Sequence, residues 1–163
     1  MRIDKINYYL DIAEATLKRG TCIRRNFGAV IVKNDEIIST GYSGAPRGRE
    51  NCIDLGYCTK KKIYPYLRHG GYDACRSVHA EQNAIISAAR KDMLGSTMYL
   101  VGKRVDTGAY EEGASSCQMC RKLIINAGIE KVVIREQEPF KYHIVDVKDW
   151  INQDDLLEGK ITY

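Results

Sequence analysis

The hydrophobic positions of this 163-residue chain follow two alternating rhythms. Near the N-terminus, Ile6, Tyr9, Leu10, Ala13 and Leu17 recur at helical steps. The spacing predicts an amphipathic helix from about Asp4 to Arg19, closed by Gly20. The next stretch, GAVIVKNDEIISTGY (28–42), changes period. Its two β-branched runs flank the turn pair Asn34-Asp35 and predict a hairpin. From Gly41 to about Arg76 no period holds, and Gly, Pro, Tyr and Cys dominate. A loop this long inside a compact domain is usually functional or held by something. Helical spacing returns from near His79 to Arg90, and again in CQMCRKLIINAG (117–128), which ends on glycine. STMYLVG (96–102) and IEKVVIRE (129–136) predict strands, with a polar loop from Val105 to Ser116 after the first. In the tail, Val145, Val147, Trp150 and Ile151 predict an edge element or helix over the core. Strands alternating with helices predict a layered α/β architecture. With no repeat or linker visible, residues 1–163 are expected to form one domain.

Composition narrows the function classes. Hydrophobic residues make up 44% and charged residues 28%, a globular balance that argues for a packed core. Net charge is +4 and is spread along the chain. That favours an anionic small-molecule substrate mildly and does not build a nucleic-acid surface, which needs clustered basic and aromatic residues. No apolar run is long enough to cross a bilayer, and the N-terminal segment is interrupted by charge. The expected location is the cytoplasm. In a reducing compartment the six cysteines are expected to be thiols or metal ligands.

Two motifs carry chemistry, and each opens a predicted helix. One is His79-Ala80-Glu81; the other is Cys117-Gln118-Met119-Cys120. Residues two apart on a helix do not share a face, so His79 and Glu81 are suited to different tasks. A catalytic zinc takes three protein ligands and leaves a position for water. His79, Cys117 and Cys120 supply that number, and one helical turn puts both cysteines on one face. A helix start also favours thiolate over thiol. Glu81 is then left to handle the proton of a water whose pKa zinc lowers to about 7. Taken alone, Cys-x-x-Cys also fits a redox pair or two buried thiols, and a histidine at a helix start also fits a cap. Together the motifs match the zinc deaminase signature.

The chain resembles the cytidine and deoxycytidylate deaminase superfamily, and within it the deoxycytidylate branch. CIRRNFGAVIV, IISTGYSGAPRGRENC, CRSVHAEQNAI and CQMCRKLIINAGIEKVVI follow that branch in order, from Cys22 to Arg135. The resemblance implies a three-layer α/β/α sandwich of cytidine-deaminase type with a mixed, mainly five-stranded sheet. It implies hydrolytic loss of ammonia from C4 of a cytosine nucleotide, most simply dCMP to dUMP, with one catalytic zinc. Glu81 would protonate N3 and then the departing amino group, and the Ala80 N–H would meet the base carbonyl. Arg24, Asn26 and Ser43 fall at substrate-binding positions, Arg24 toward a phosphate. Some relatives carry a second, structural zinc, for which Cys22, Cys52, Cys75 and His69 are candidates here, with Cys58 as the alternative ligand. A homo-oligomer is also implied.

Three departures stand out. Ser116 replaces the usual proline before the first cysteine, and Ser43 replaces the usual asparagine of its loop. The link GKRVDTGAYEEGAS (102–115) is long, fitting a lid, a specificity loop or a neutral insertion. Arg24, Arg25, Arg47, Arg49 and the run Lys60–Lys62 lie in or beside the same loops and offer contacts to a phosphate, although for any single one a solvated basic loop is the simpler reading. A deaminase for another substrate, and a non-catalytic zinc-stabilised module, share the same motifs.

Overall fold

The computed structural model describes residues 1–68, 70–138 and 140–153. Its sheet has five strands: β1 (Arg25–Lys33), β2 (Glu36–Tyr42), β3 (Thr97–Arg104), β4 (Lys131–Arg135) and β5 (Tyr142–Asp146). They lie in the order β2-β1-β3-β4-β5, and β3 and β4 alone are parallel to each other. The expected mixed α/β sandwich is therefore present.

Alternation along the strands divides the core in two. Val30, Val32, Tyr99, Val101 and Val133 face helix α1 (Lys5–Leu17), which contributes Tyr9, Leu10, Ala13 and Leu17. Ala29, Ile31, Met98, Leu100, Val132 and Ile134 face the other side. There they meet α4 (Ala80–Ile86), α5 (Arg90–Met93), α6 (Gln118–Ala127) and α7 (Val147–Asn152). One sheet thus serves both cores, as the period-two pattern requires.

The predicted elements hold with informative shifts. The Asp4 carboxylate accepts from Asn7 N at 2.9 Å and caps α1. Asn34 and Asp35 have φ of 51° and 62°, as a two-residue hairpin turn demands. The helix expected over 79–90 breaks after Ile86, and α5 begins at Arg90. The break turns the chain so that Met93 enters the core at 3% exposure. The tail supplies both an edge strand, β5, and a helix, α7. The aperiodic stretch holds only short turns: α2 (Cys52–Leu55), α3 (Thr59–Ile63) and a 3-10 turn at Tyr72–Ala74. No helix among the described residues is long and apolar enough to cross a membrane.

Two glycines set the layer spacing. A Cβ at Gly28 would lie 2.0 Å from the Ala13 carbonyl oxygen of α1. A Cβ at Gly41 would lie 2.3 Å from the Ala80 carbonyl oxygen of α4. Backbone therefore packs on backbone on both faces. Ser39 Oγ donates to Ala84 O at 2.7 Å, and Asn83 Nδ2 to Tyr42 O at 2.8 Å, which fixes α4 over β2. Gly41→Ala is expected to push α4 off the sheet and cost roughly 1–3 kcal/mol or more. A denaturant melt with a parallel zinc assay checks this, because α4 carries part of the site described next.

Candidate metal centre

His79 and Cys117 occupy equivalent places, each the extended residue just before a helix. His79 has φ −71° and ψ 155° before α4; Cys117 has φ −67° and ψ 165° before α6. Val78 and Gly44 exchange backbone hydrogen bonds of 2.7 and 3.2 Å, guiding the chain into His79. The Gln82 side chain accepts from His79 N at 2.8 Å. That satisfies the His79 N–H at the helix start. Across the gap, Arg121 Nε donates to Ser116 O at 3.0 Å, and its guanidinium stacks 4.9 Å from the Trp150 ring. Helix α7 thereby steadies the segment entering Cys117.

The three expected ligands converge. His79 Nδ1 lies 3.5 Å from Cys117 Sγ and 3.4 Å from Cys120 Sγ. All three donor atoms lie within 4.8 Å of one another. Zn–N near 2.0 Å and Zn–S near 2.3 Å at a tetrahedral angle place N and S about 3.5 Å apart. The spacing and the donor chemistry therefore fit zinc. Cys120 is fully buried and Cys117 half-buried.

Electrostatics follow from this crowding. The hydrogen bond from Cys120, with help from His79, outweighs burial and pulls the Cys117 thiol down to about 4. Burial works against a charged His79, but hydrogen bonds to Cys117 and Cys75 and the Glu81 charge lift it to about 10. Cys120, which donates to Cys117 and is buried beside Glu81, is pushed up. Glu81 is 5% exposed, and burial raises its pKa despite the nearby His79. Ser116 Oγ is buried without a hydrogen bond of ordinary geometry, yet it is close enough to Glu81 to oppose that rise.

The zinc-binding region of the cytidine and deoxycytidylate deaminases matches residues 3–136. The chain belongs to this deaminase family. Among relatives, the deoxycytidylate deaminase of Mycobacterium phage D29 is 34% identical, over 81% of this chain and 94% of that protein. The deoxycytidylate deaminase of Enterobacteria phage T4 is 30% identical, over 81% of this chain and 78% of its own. Among solved structures, the dCMP deaminase of cyanophage S-TIM5 in complex with dCMP and dUMP is 26% identical with a TM-score of 0.58. The match covers 94% of this chain and 93% of that one.

The other residues expected from the deaminase family fare differently. Ala80 is fully buried at the first position of α4, where no intrahelical carbonyl takes its N–H. Asn26 uses its amide on the Cys22 backbone: Oδ1 accepts from Cys22 N at 3.0 Å, and Nδ2 donates to Cys22 O at 3.2 Å. Ser43 Oγ accepts from Phe27 N at 2.8 Å and joins β2 to β1. Arg24 is half-buried, with its N–H on Cys22 Sγ at 3.4 Å. Among the described residues, His79, Cys117 and Cys120 form the one converging ligand group. Cys22, Cys58 and Cys75 are near enough to Cys52 to reinforce the rise that burial gives its pKa. His69 lies outside the described residues.

The long link forms a hairpin extension of β3. Arg104 N donates to Ala109 O at 2.9 Å, and Glu111 N to Gly102 O at 2.9 Å. Tyr110 OH reaches Glu14 Oε2 on α1 at 2.8 Å, and Glu111 pairs with Arg25 at 3.0 Å. These ties join the hairpin to α1 and β1.

Two further neighbours of the centre come from the aperiodic stretch. The Tyr72 ring meets His79 edge-on at 4.9 Å, and Lys60 Nζ sits 4.2 Å from the centre of that ring. Lys60, in the run read as solvated, is 4% exposed, and burial lowers its pKa. Neither residue is part of a motif, because the surrounding stretch has no period. For the ligands, His79→Ala, Cys117→Ala or Cys120→Ala is each expected to abolish zinc retention at this centre. Elemental analysis after gel filtration checks it, and full retention by any one variant removes that residue from the set.

Proposed function

We propose that this chain catalyses the hydrolytic deamination of deoxycytidylate, dCMP plus water giving dUMP plus ammonia. The observation that carries this reading is the convergence of His79, Cys117 and Cys120 next to the buried carboxyl of Glu81. The deoxycytidylate deaminase relatives and the S-TIM5 dCMP deaminase complex support the choice of substrate.

Zinc, when held by His79, Cys117 and Cys120, supplies the Lewis acidity that makes water a nucleophile near neutral pH. The residues of the chain do the rest. Glu81 takes the proton of the attacking water and passes it to N3 of the base. The water oxygen bonds to C4. Glu81 then carries the second proton to the amino group, the C4–N4 bond breaks, and ammonia leaves. Ala80 N–H donates to the base carbonyl and fixes the ring against rotation. Burial of Glu81 excludes bulk water from this transfer and strengthens it.

A second, structural zinc on Cys22, Cys52, Cys75 and either His69 or Cys58 belongs to the same proposal. Its support is that Cys22, Cys75 and Cys58 each lie near enough to Cys52 to raise its pKa. Its role would be to tie down a stretch that has little core of its own. We also read residues 1–163 as one domain working as a homo-oligomer in the cytoplasm. Both cores share one sheet, and Ile53, Tyr57, Ile63 and Tyr66 expose apolar surface on the α2–α3 side.

Glu81→Gln is expected to keep zinc and lose roughly 10²–10⁴-fold in dCMP turnover. Ammonia release coupled to a zinc assay measures both, and undiminished turnover would return the chain to a non-catalytic module. Native mass spectrometry is expected to find two zinc ions per chain, falling to one in Cys22→Ser. A single ion in the wild type removes the structural site.

A further inference from the structure

Ser116 carries a hydroxyl that the fold buries and leaves over. The residue is 2% exposed, and its Oγ has no hydrogen-bond partner of ordinary geometry. A hydroxyl withdrawn from water without a partner costs free energy, and buried polar groups in folded proteins are nearly always bonded. The backbone around it, in contrast, is committed. Ser116 O accepts from Arg121 Nε at 3.0 Å. The same guanidinium donates Nη2 to Ser115 Oγ at 3.2 Å and lies 4.9 Å from the Trp150 ring. One residue on, Cys117 O accepts from Arg121 N at 2.9 Å. With the main chain clamped, the side chain of Ser116 keeps its freedom to turn about one bond.

What that hydroxyl meets is the carboxyl of Glu81, itself 5% exposed on the first turn of α4. Two side-chain donors reach this carboxyl: the Ser116 hydroxyl and the Cys120 thiol. They differ once zinc is held. A thiol that ligates the ion has given up its proton and cannot donate. The Ser116 hydroxyl keeps its proton under the same conditions. Of the two, it is the donor that remains beside a buried carboxylate, and a hydrogen bond to a charged acceptor is the stronger kind.

We propose that Ser116 is a positioning residue for Glu81, donating its O–H to one carboxylate oxygen so that the other faces the water and N3 of the base. This rests on the deamination reading above. Glu81 has two proton transfers to serve, first to N3 and then to the amino group. A carboxylate free to rotate loses productive geometry between them. A hydrogen bond from a clamped segment removes that freedom at no cost in charge. Ser116 acts through Glu81 and touches neither base nor phosphate. The same bond gives the buried hydroxyl the partner it otherwise lacks.

The test uses the zinc-loaded full chain and Ser116→Ala, which removes one oxygen and leaves the backbone clamp in place. kcat for dCMP is expected to fall roughly 10-fold with KM unchanged, because the lost bond serves the proton transfers and not binding. Zinc content and melting temperature are expected to hold. In a Glu81→Gln background, Ser116→Ala is expected to add no further loss, since its effect runs through that carboxylate. Unchanged kcat in the single variant overturns the proposal. So does a loss that tracks zinc content or melting temperature, the mark of a purely structural serine. A raised KM at constant kcat marks a substrate contact and overturns it too, as do losses that multiply in the double variant. Ser116→Gly carries the same expectations and decides the matter if the Ala variant does not fold. Wild type without dCMP deamination sinks the reading of the reaction, and this role with it. Wild type active on dCMP, with kcat intact in Ser116→Ala, sinks the role of Ser116 alone.

Discussion

The structure depends on bringing one imidazole nitrogen and two sulfurs within 4.8 Å of one another from distant parts of the chain. Neither helix does this alone. His79 and Cys117 are both the last extended residue before a helix, so each side chain projects past the end of its helix toward the other. Both helix starts carry backbone N–H groups without intrahelical acceptors, and their partial positive charge favours a thiolate there. The low pKa of Cys117 is the result of that setting and of its neighbours. With the donors so arranged, Glu81 and Ala80 fall on the first turn of α4, beside the centre.

The rest of the fold serves this convergence. Gly41 lets α4 lie directly on β2, and Ser39 and Asn83 fix its register. On the other side, Arg121 and Trp150 link the final helix to the segment before Cys117. The hairpin after β3 is braced by an ion network in which Glu14 accepts from Tyr110, Lys103 and Arg135. Those donors outweigh burial and hold the Glu14 carboxyl below its usual range. An insertion that could have moved is instead joined to α1 and thus to the opposite face of the sheet.

The strands were legible because the unbroken apolar runs at 29–32, 98–101 and 132–134 are short and rich in β-branched residues, as strands buried on both faces are. The metal ligands were legible because Cys-x-x-Cys and His-x-Glu encode chemistry within a few residues. Asn26 and Ser43 also bond to the Cys22 and Phe27 backbone, contacts that only the fold reveals. Tyr72 lies in a stretch ordered by long-range contacts, so no local pattern announces it, and the basic run at 60–62 did not reveal that Lys60 is buried. The early end of α4 is of the same kind. Ser87 and Ala88 are compatible with helix, and the need to bury Met93 decides against it.

The cysteine-bearing helix α6 is the crossover between the two parallel strands, whereas His79 follows the antiparallel hairpin of β1 and β2. The donors can meet only when β1 has paired with β3 and the crossover has closed onto β4. During synthesis, Cys120 must leave the ribosome before three ligands exist at all. Metal capture is therefore a late event that reports a completed sheet, and a nascent chain stalled short of α6 has no means of retaining the ion at this centre.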